Sequence, residues 1–123
     1  MKILIGDDHE LISIGIIANF KSKGRTDDFK SAKNKSELMQ HLKNERFDVL
    51  ILDVRFGEDD ARQLIKEISE IDGEMKNIAL SSHEDEVTVK SVLASGFQSY
   101  ISKAAPLDEL IVAVEKVTTG ERY

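Results

Sequence analysis

Asp7, Asp8, Asp53, Ser81 and Lys103 each stand directly at or just past the end of a short apolar run. Three carboxylates brought close together repel one another unless a cation neutralises them. A set of oxygen ligands suits a hard ion, and Mg²⁺ held by one or two carboxylates is the usual arrangement for moving a phosphoryl group. A carboxylate can also be the nucleophile itself, forming an aspartyl phosphate. Such a transfer needs in-line positioning and positive charge around the transferred oxygens. Mg²⁺ and Lys103 would supply the charge, and a Ser81 hydroxyl would hydrogen-bond the phosphoryl group. Taken singly, these residues say little. Asp7 or Asp8 alone serves more often as a helix N-cap, and a lone Lys103 is a surface lysine. Their shared position at strand ends is what points to chemistry.

The elements that must carry them are legible as alternating patterns. Ile3-Leu4-Ile5, Val49-Leu50-Ile51-Leu52 and Ile78-Ala79-Leu80 are short continuous apolar runs, as parallel strands buried on both faces require. Ser99-Tyr100-Ile101 is a shorter strand, and Phe29 to Ala32 a more polar one suited to an edge. Helical spacing fills the intervals. Leu107, Leu110, Ile111, Val114 and Val117 make one stripe, and Val89, Val92 and Leu93 a second. Leu64, Ile65, Ile68 and Ile71 make a third, and Leu38, Met39 and Leu42 a fourth. Leu11 to Phe20 is apolar over a wider arc. Either that helix is fully buried or it leaves Ile12, Ile16 or Ile17 on a dimer face. Asn34 with Glu37 predicts a capping box, and Pro106 suits the first turn of the last helix. Gly24, Gly73, Gly96 and Gly120 stand where a left-handed residue closes a helix. Strand and helix thus alternate five times, which predicts a three-layer α/β domain whose ligands bind beyond the carboxyl ends of a parallel sheet.

Composition bounds the function classes. A chain of 123 residues with 41% hydrophobic content fills one core. The net charge of −6 and the absence of a basic run argue against direct nucleic-acid binding. With no cysteine there is neither a disulfide nor a thiolate metal site, which fits a reducing cytoplasm. Met1 to Ile5 is too short for a signal peptide, and no apolar run is long enough to span a membrane.

At the level of motifs the chain resembles the receiver domains of bacterial response regulators over essentially its whole length, residues 1–123. Gly6-Asp7-Asp8-His9 resembles the family's acidic pair, and Leu50-Ile51-Leu52-Asp53 the strand that presents its phosphorylated Asp. Ser81, Tyr100 and Lys103 stand where the family has its switch Ser or Thr, its switch aromatic and its Lys. Asp7-Asp8-His9 with Gly15-Ile16, and the ending Gly120-Glu121-Arg122-Tyr123, are similar to regulators carrying a LuxR-type helix-turn-helix. In those, a linker and DNA-binding domain follow at about this point, so this chain is expected to contact DNA only through a C-terminal domain that it does not include.

The resemblance implies a doubly wound five-stranded parallel sheet in the order 2-1-3-4-5. It also implies a switch rather than an enzyme with turnover on a separate substrate. A sensor histidine kinase is the partner, and Asp53 takes the phosphoryl group. Asp8, Asp53 and the backbone carbonyl of Arg55 ligate Mg²⁺, with Asp7 acting through water. Ser81 and Lys103 bind phosphoryl oxygens, and Tyr100 turns inward as Ser81 moves. Arg55 and His83 flank the phosphoryl group and tune its hydrolysis, with Arg55 shielding it from water.

Two departures qualify this. Val54-Arg55-Phe56-Gly57-Glu58-Asp59-Asp60 replaces the usual Met-Pro-Gly-like turn with an acidic loop that is expected to slow an anionic phosphodonor. Ala104 follows Lys103 where Pro is common. His9 is expected in the first turn of a helix and His41 at the surface, and a zinc site from His9, His83 and Asp8 is a weaker alternative. A haloacid-dehalogenase-like phosphatase would need an acid two residues after the nucleophile, where this chain has Arg55. A pseudo-receiver that is never phosphorylated and a stand-alone phosphorelay carrier complete the alternatives.

Overall fold

The computed structural model describes residues 1–83 and 85–120. Five parallel strands form the central sheet: β1 (Lys2–Gly6), β2 (Asp28–Ala32), β3 (Val49–Asp53), β6 (Lys76–Ser81) and β7 (Ser99–Ser102). Their order is β2-β1-β3-β6-β7, the expected 2-1-3-4-5 arrangement. Two short strands outside that sheet, β4 (Arg55–Phe56) and β5 (Asp59–Asp60), form an antiparallel hairpin that the sequence reading did not anticipate. The helices are α1 (Glu10–Ser22), α2 (Lys35–Asn44), α3 (Ala61–Ile71), α4 (Glu86–Ala94) and α5 (Asp108–Thr118).

Strand alternation divides the core into two layers. Leu4, Leu50, Leu52 and Ala79 face α2, α3 and α4, where Leu38, Leu64, Ile65, Ile68 and Val92 meet them. Ile3, Ile5, Val49, Ile51, Ile78 and Leu80 face α1 and α5, against Ile16, Phe20, Leu110 and Val114. Every residue of β3 is buried, because β3 lies between two strands and under two helical layers.

Gly6 ends β1 beside β3, where a Cβ would stand 2.6 Å from Leu52 Cδ1. Any larger residue there would require the Leu52 side chain to move.

Several expectations are corrected. Ile16 is fully buried, and the outward residues of α1 are Leu11 and Ile14. Ile12 and Ile17 are half-buried. Leu107 precedes α5 and is exposed, and Ile71 closes α3 on its outer side. Pro106 heads a preliminary turn, its carbonyl accepting from Glu109 N at 3.0 Å, ahead of the α-helix proper. Asn34 does cap α2 through Glu37 N at 2.9 Å, but Glu37 reaches back to Lys33 N rather than to Asn34 N. Gly57, at φ 63°, takes the left-handed conformation at the hairpin tip, while Gly73 does not adopt it. His41 is half-buried, its Nε2 3.2 Å from the Ser31 carbonyl. The terminal residues 121–123 of the Gly120-Glu121-Arg122-Tyr123 motif lie outside the described residues.

Candidate functional site

Parallel register sets the site. Gly6 pairs with Leu52, Asp53 with Leu80, and Ser81 with Ser102. The carboxyl ends of β1, β3, β6 and β7 therefore stop at one edge, and each presents its next polar residue there. The Lys103 amide donates to the Ser81 carbonyl at 2.7 Å, which carries the β7 ladder one residue further.

Asp53 is buried at this edge. Its Oδ2 accepts from Lys103 Nζ at 2.8 Å and its Oδ1 from the Arg55 amide at 3.2 Å. Burial pushes the Asp53 carboxyl above its ordinary range; the Lys103 bond opposes this and the Asp7 charge adds to it. Lys103 is itself partly buried, which acts to lower its pKa. The hydrogen bond and charge of Asp53, with those of Asp7, outweigh burial and hold the ammonium above its usual value.

Asp7 is also buried, and its two oxygens fare differently. Oδ1 accepts from the His9 amide at 2.8 Å. Oδ2 is buried without a well-formed hydrogen bond, its nearest positive charge the Lys103 Nζ at 3.4 Å. Asp8 is exposed at the rim. One ligand atom each from Asp7, Asp8, His9 and Asp53 lies within 4.8 Å of the others. An orphaned buried carboxylate oxygen inside a three-carboxylate cluster fits a hard divalent cation.

His9 occupies the N-cap of α1 rather than its first turn, and its Nδ1 stands 3.2 Å from both Asp7 Oδ1 and Asp8 Oδ1. Sequence reasoning passed over this contact. His83, on the far side of the site, is not in the cluster, so the zinc alternative fails on geometry.

Ser81 is buried and its Oγ accepts from the His83 amide at 3.0 Å. Tyr100 packs against the core and donates its hydroxyl to the His83 carbonyl. Its hydroxyl thus links β7 to the residue that also donates to Ser81 Oγ. Arg55 carries its backbone to Asp53 and its side chain to solvent. It lines, with His83, Thr88 and the hairpin, an open cleft of about 280 Å³ beside the site. Phe56, the next residue, is fully buried and anchors the hairpin. Of the acidic loop, Asp60 is not a free charge. It caps α3 and holds Arg62 in a two-pronged pair, and the only sequence signal was an acid two residues before an arginine.

A doubly wound sheet with an acidic cluster, a buried Asp and a Lys bonded to it at the carboxyl edge defines a receiver domain. The response regulator receiver domain family matches residues 3–115, and the chain belongs to that family. It is 33% identical to the oxygen regulatory protein NreC of Staphylococcus haemolyticus, across all of this chain and 57% of that protein. NreC of Staphylococcus aureus is 28% identical over the same share. The chain therefore spans a little over half the length of the curated relatives it matches. Among solved structures, the receiver domain of a Francisella response regulator superposes with a TM-score of 0.86 at 25% identity, covering 97% of each chain. A LuxR-family two-component regulator from Aurantimonas gives a TM-score of 0.87 at 18% identity, covering 98% of this chain and 86% of that one.

Proposed function

We propose that this receiver takes a phosphoryl group from the phosphohistidine of a sensor histidine kinase onto Asp53 and switches an output, DNA binding by a C-terminal domain. The observation that carries the reading is the Asp53 carboxylate itself. It is buried, bonded to Lys103 at 2.8 Å and set in a cluster with an unsatisfied Asp7 oxygen.

Asp8, Asp53 and the Arg55 carbonyl would hold Mg²⁺, with Asp7 acting through water. When bound, the ion neutralises the cluster and offsets charge on the transferred phosphoryl oxygens. A carboxylate oxygen of Asp53 attacks phosphorus, the P–N bond breaks, and the kinase imidazole leaves with the electron pair. Lys103 holds Asp53 before transfer and a phosphoryl oxygen after it. Ser81 Oγ exchanges its bond from the His83 amide for one to the phosphoryl group. The β6–α4 loop shifts with it, and Tyr100, bonded to the His83 carbonyl, fixes the new position. Arg55 and His83 tune hydrolysis from the cleft. The surface of α4, β7 and α5 is the output face, a two-state element biased by a local charge.

The DNA-binding output rests on the resemblance to regulators carrying a LuxR-type helix-turn-helix; of the oxygen regulatory protein NreC this chain covers 57%. Outward Leu11 and Ile14 suit a homodimer face. Among the described residues no helix is long and apolar enough to cross a membrane, and with no cysteine in the sequence we place the protein in the cytoplasm.

The test is intact mass after incubation with Mg²⁺ and acetyl phosphate, beside Asp53→Asn. A gain of one phosphoryl group requiring both Mg²⁺ and Asp53 is expected. No gain, with a histidine kinase donor also failing, would leave a pseudo-receiver that acts only as an interaction module.

A further inference from the structure

Of the five helices, α4 is the least anchored. Val92 is its only buried residue, whereas α3 buries Ala61, Leu64, Ile65 and Ile68. On the side facing the phosphoacceptor loop it borders the open cleft, lined there by Thr88 opposite Arg55 and Asp60. An element with so few buried contacts sits at the low-stability end of the fold and is easily biased.

One side chain crosses from the loop to this helix. Arg62, in the first turn of α3, gives Nε to Asp60 Oδ1 at 3.0 Å and Nη2 to Asp60 Oδ2 at 2.7 Å. Its amide also donates to Asp60 Oδ1, at 2.9 Å. The remaining prong, Nη1, donates to Ser91 Oγ on α4 at 3.1 Å. Among the described residues this is the hydrogen bond that joins α3 to α4. Asp60 in turn sits opposite Arg55 in the β4–β5 hairpin, and the Arg55 amide holds Asp53 Oδ1 at 3.2 Å. The hairpin base is fixed to the sheet by Ala61 N to the Val54 carbonyl at 2.9 Å and Val54 N to the Leu80 carbonyl at 3.0 Å.

We infer that Arg62 is a positioning residue, a strut that couples the metal and phosphoryl site at Asp53 to α4 through Asp60, the hairpin and Ser91. The inference rests on the phosphoacceptor reading above. Its physical content is that one planar guanidinium satisfies two partners on separate elements, which a lysine cannot do with the same geometry. Were the Arg55 carbonyl to hold a cation, a shift of the hairpin would move Asp60, and the two-pronged pair would carry that shift to Ser91. Coupling of this kind is reciprocal, so a change on α4 must be felt at the metal site by the same factor.

The experiment measures the affinity of Mg²⁺ with beryllofluoride, a phosphoryl mimic, alongside hydrogen exchange of the α4 amides. It compares wild type with Arg62→Ala, Arg62→Lys, Ser91→Ala, the Arg62→Ala/Ser91→Ala pair and the exposed control Gln63→Ala. Wild type should bind the mimic and change the exchange of α4 on binding. Arg62→Ala and Ser91→Ala should each weaken binding about three- to tenfold, with the pair no weaker than the worse single variant. Arg62→Lys should not restore the coupling, and Gln63→Ala should match wild type. Ser91→Ala tests coupling most directly, because Ser91 touches neither the hairpin nor the metal site. Wild-type affinity in Ser91→Ala, or additive losses in the pair, would overturn the strut and leave the phosphoacceptor reading standing. Failure of wild type itself to bind the mimic would overturn both.

Discussion

Lys103 Nζ lies 2.8 Å from Asp53 Oδ2 and 3.4 Å from Asp7 Oδ2, so one cation from the end of β7 spans carboxylates from β1 and β3. Asp53 is thus held by the group that, on the proposed reading, would next receive the phosphoryl oxygens. Removing a single fixed donor at a developing charge commonly costs about 100-fold or more in rate. Lys103→Ala should slow phosphorylation by acetyl phosphate by about that factor, followed by intact mass against time, with the circular dichroism spectrum unchanged. A rate within twofold of wild type would remove Lys103 from the chemistry.

The unsatisfied Asp7 oxygen and the clustered carboxylates give the folded chain a set of oxygens that would hold a cation. A ligand that binds only the native state stabilises it by mass action, about 2.7 kcal/mol at a hundredfold excess over Kd. Mg²⁺ should raise the thermal midpoint, and chelation should reverse the rise. Asp8→Asn should reduce it without lowering the metal-free midpoint, because Asp8 is exposed. Thermal melts across a Mg²⁺ titration check this.

Arg25 offers a pH prediction remote from the site. It donates to Asp27 at 2.6 Å and 3.2 Å and lies 5.5 Å over the Phe20 ring. Burial acts to raise the Asp27 pKa, but the Arg25 bond and charge, with the N-terminal ammonium, bring it below the ordinary value. A carboxylate with a lowered folded pKa stabilises above its unfolded pKa and loses that stability as pH falls through the folded one. Arg25→Ala should therefore cost about 1.5–3 kcal/mol at neutral pH, the range for a charged hydrogen bond. The gap to wild type should narrow as pH drops below about 4, leaving the cation–π part. Urea unfolding between pH 3 and 7 gives the comparison.

Gly6→Ala places a methyl 2.6 Å from Leu52 Cδ1, the end of a fully buried side chain. Overpacking of this kind costs about 1–3 kcal/mol. Because Gly6 leads straight into Asp7, Mg²⁺ binding should weaken as well. Combining it with Leu52→Ala should recover part of the Mg²⁺ affinity if the clash is the cause. Chemical unfolding and a Mg²⁺ titration of the two variants decide.

How far the sequence reached can be argued residue by residue. The continuous apolar run Val49 to Leu52 suits a strand buried on both faces, and it is buried throughout. With the strands parallel, Asp7, Asp8, Asp53, Ser81 and Lys103 had to fall at one edge, because each ends its strand or follows it within two residues. Local pattern was enough for these, since the strand period and the connection rules leave few other arrangements. Ile16 and Ile14 were a different matter. On a helix apolar over a wide arc, only packing against β1 and α5 chooses the buried side.

Tertiary structure alone decided the rest. Hairpin β4–β5 arises because Phe56 finds the core and Gly57 supplies the left-handed turn, neither of which follows from an acidic loop read in isolation. His9 joins the acidic pair because Asp7 turns back to its amide. Tyr100 meets a carbonyl from the segment before α4. The Asp60–Arg62–Ser91 strut joins side chains 29 residues apart at its α4 end, a distance no local pattern encodes. Sequence period determines which residues face a sheet or a helix layer. Which polar atoms then meet across elements depends on three-dimensional distances of a few ångströms, and these exist only once the chain has packed.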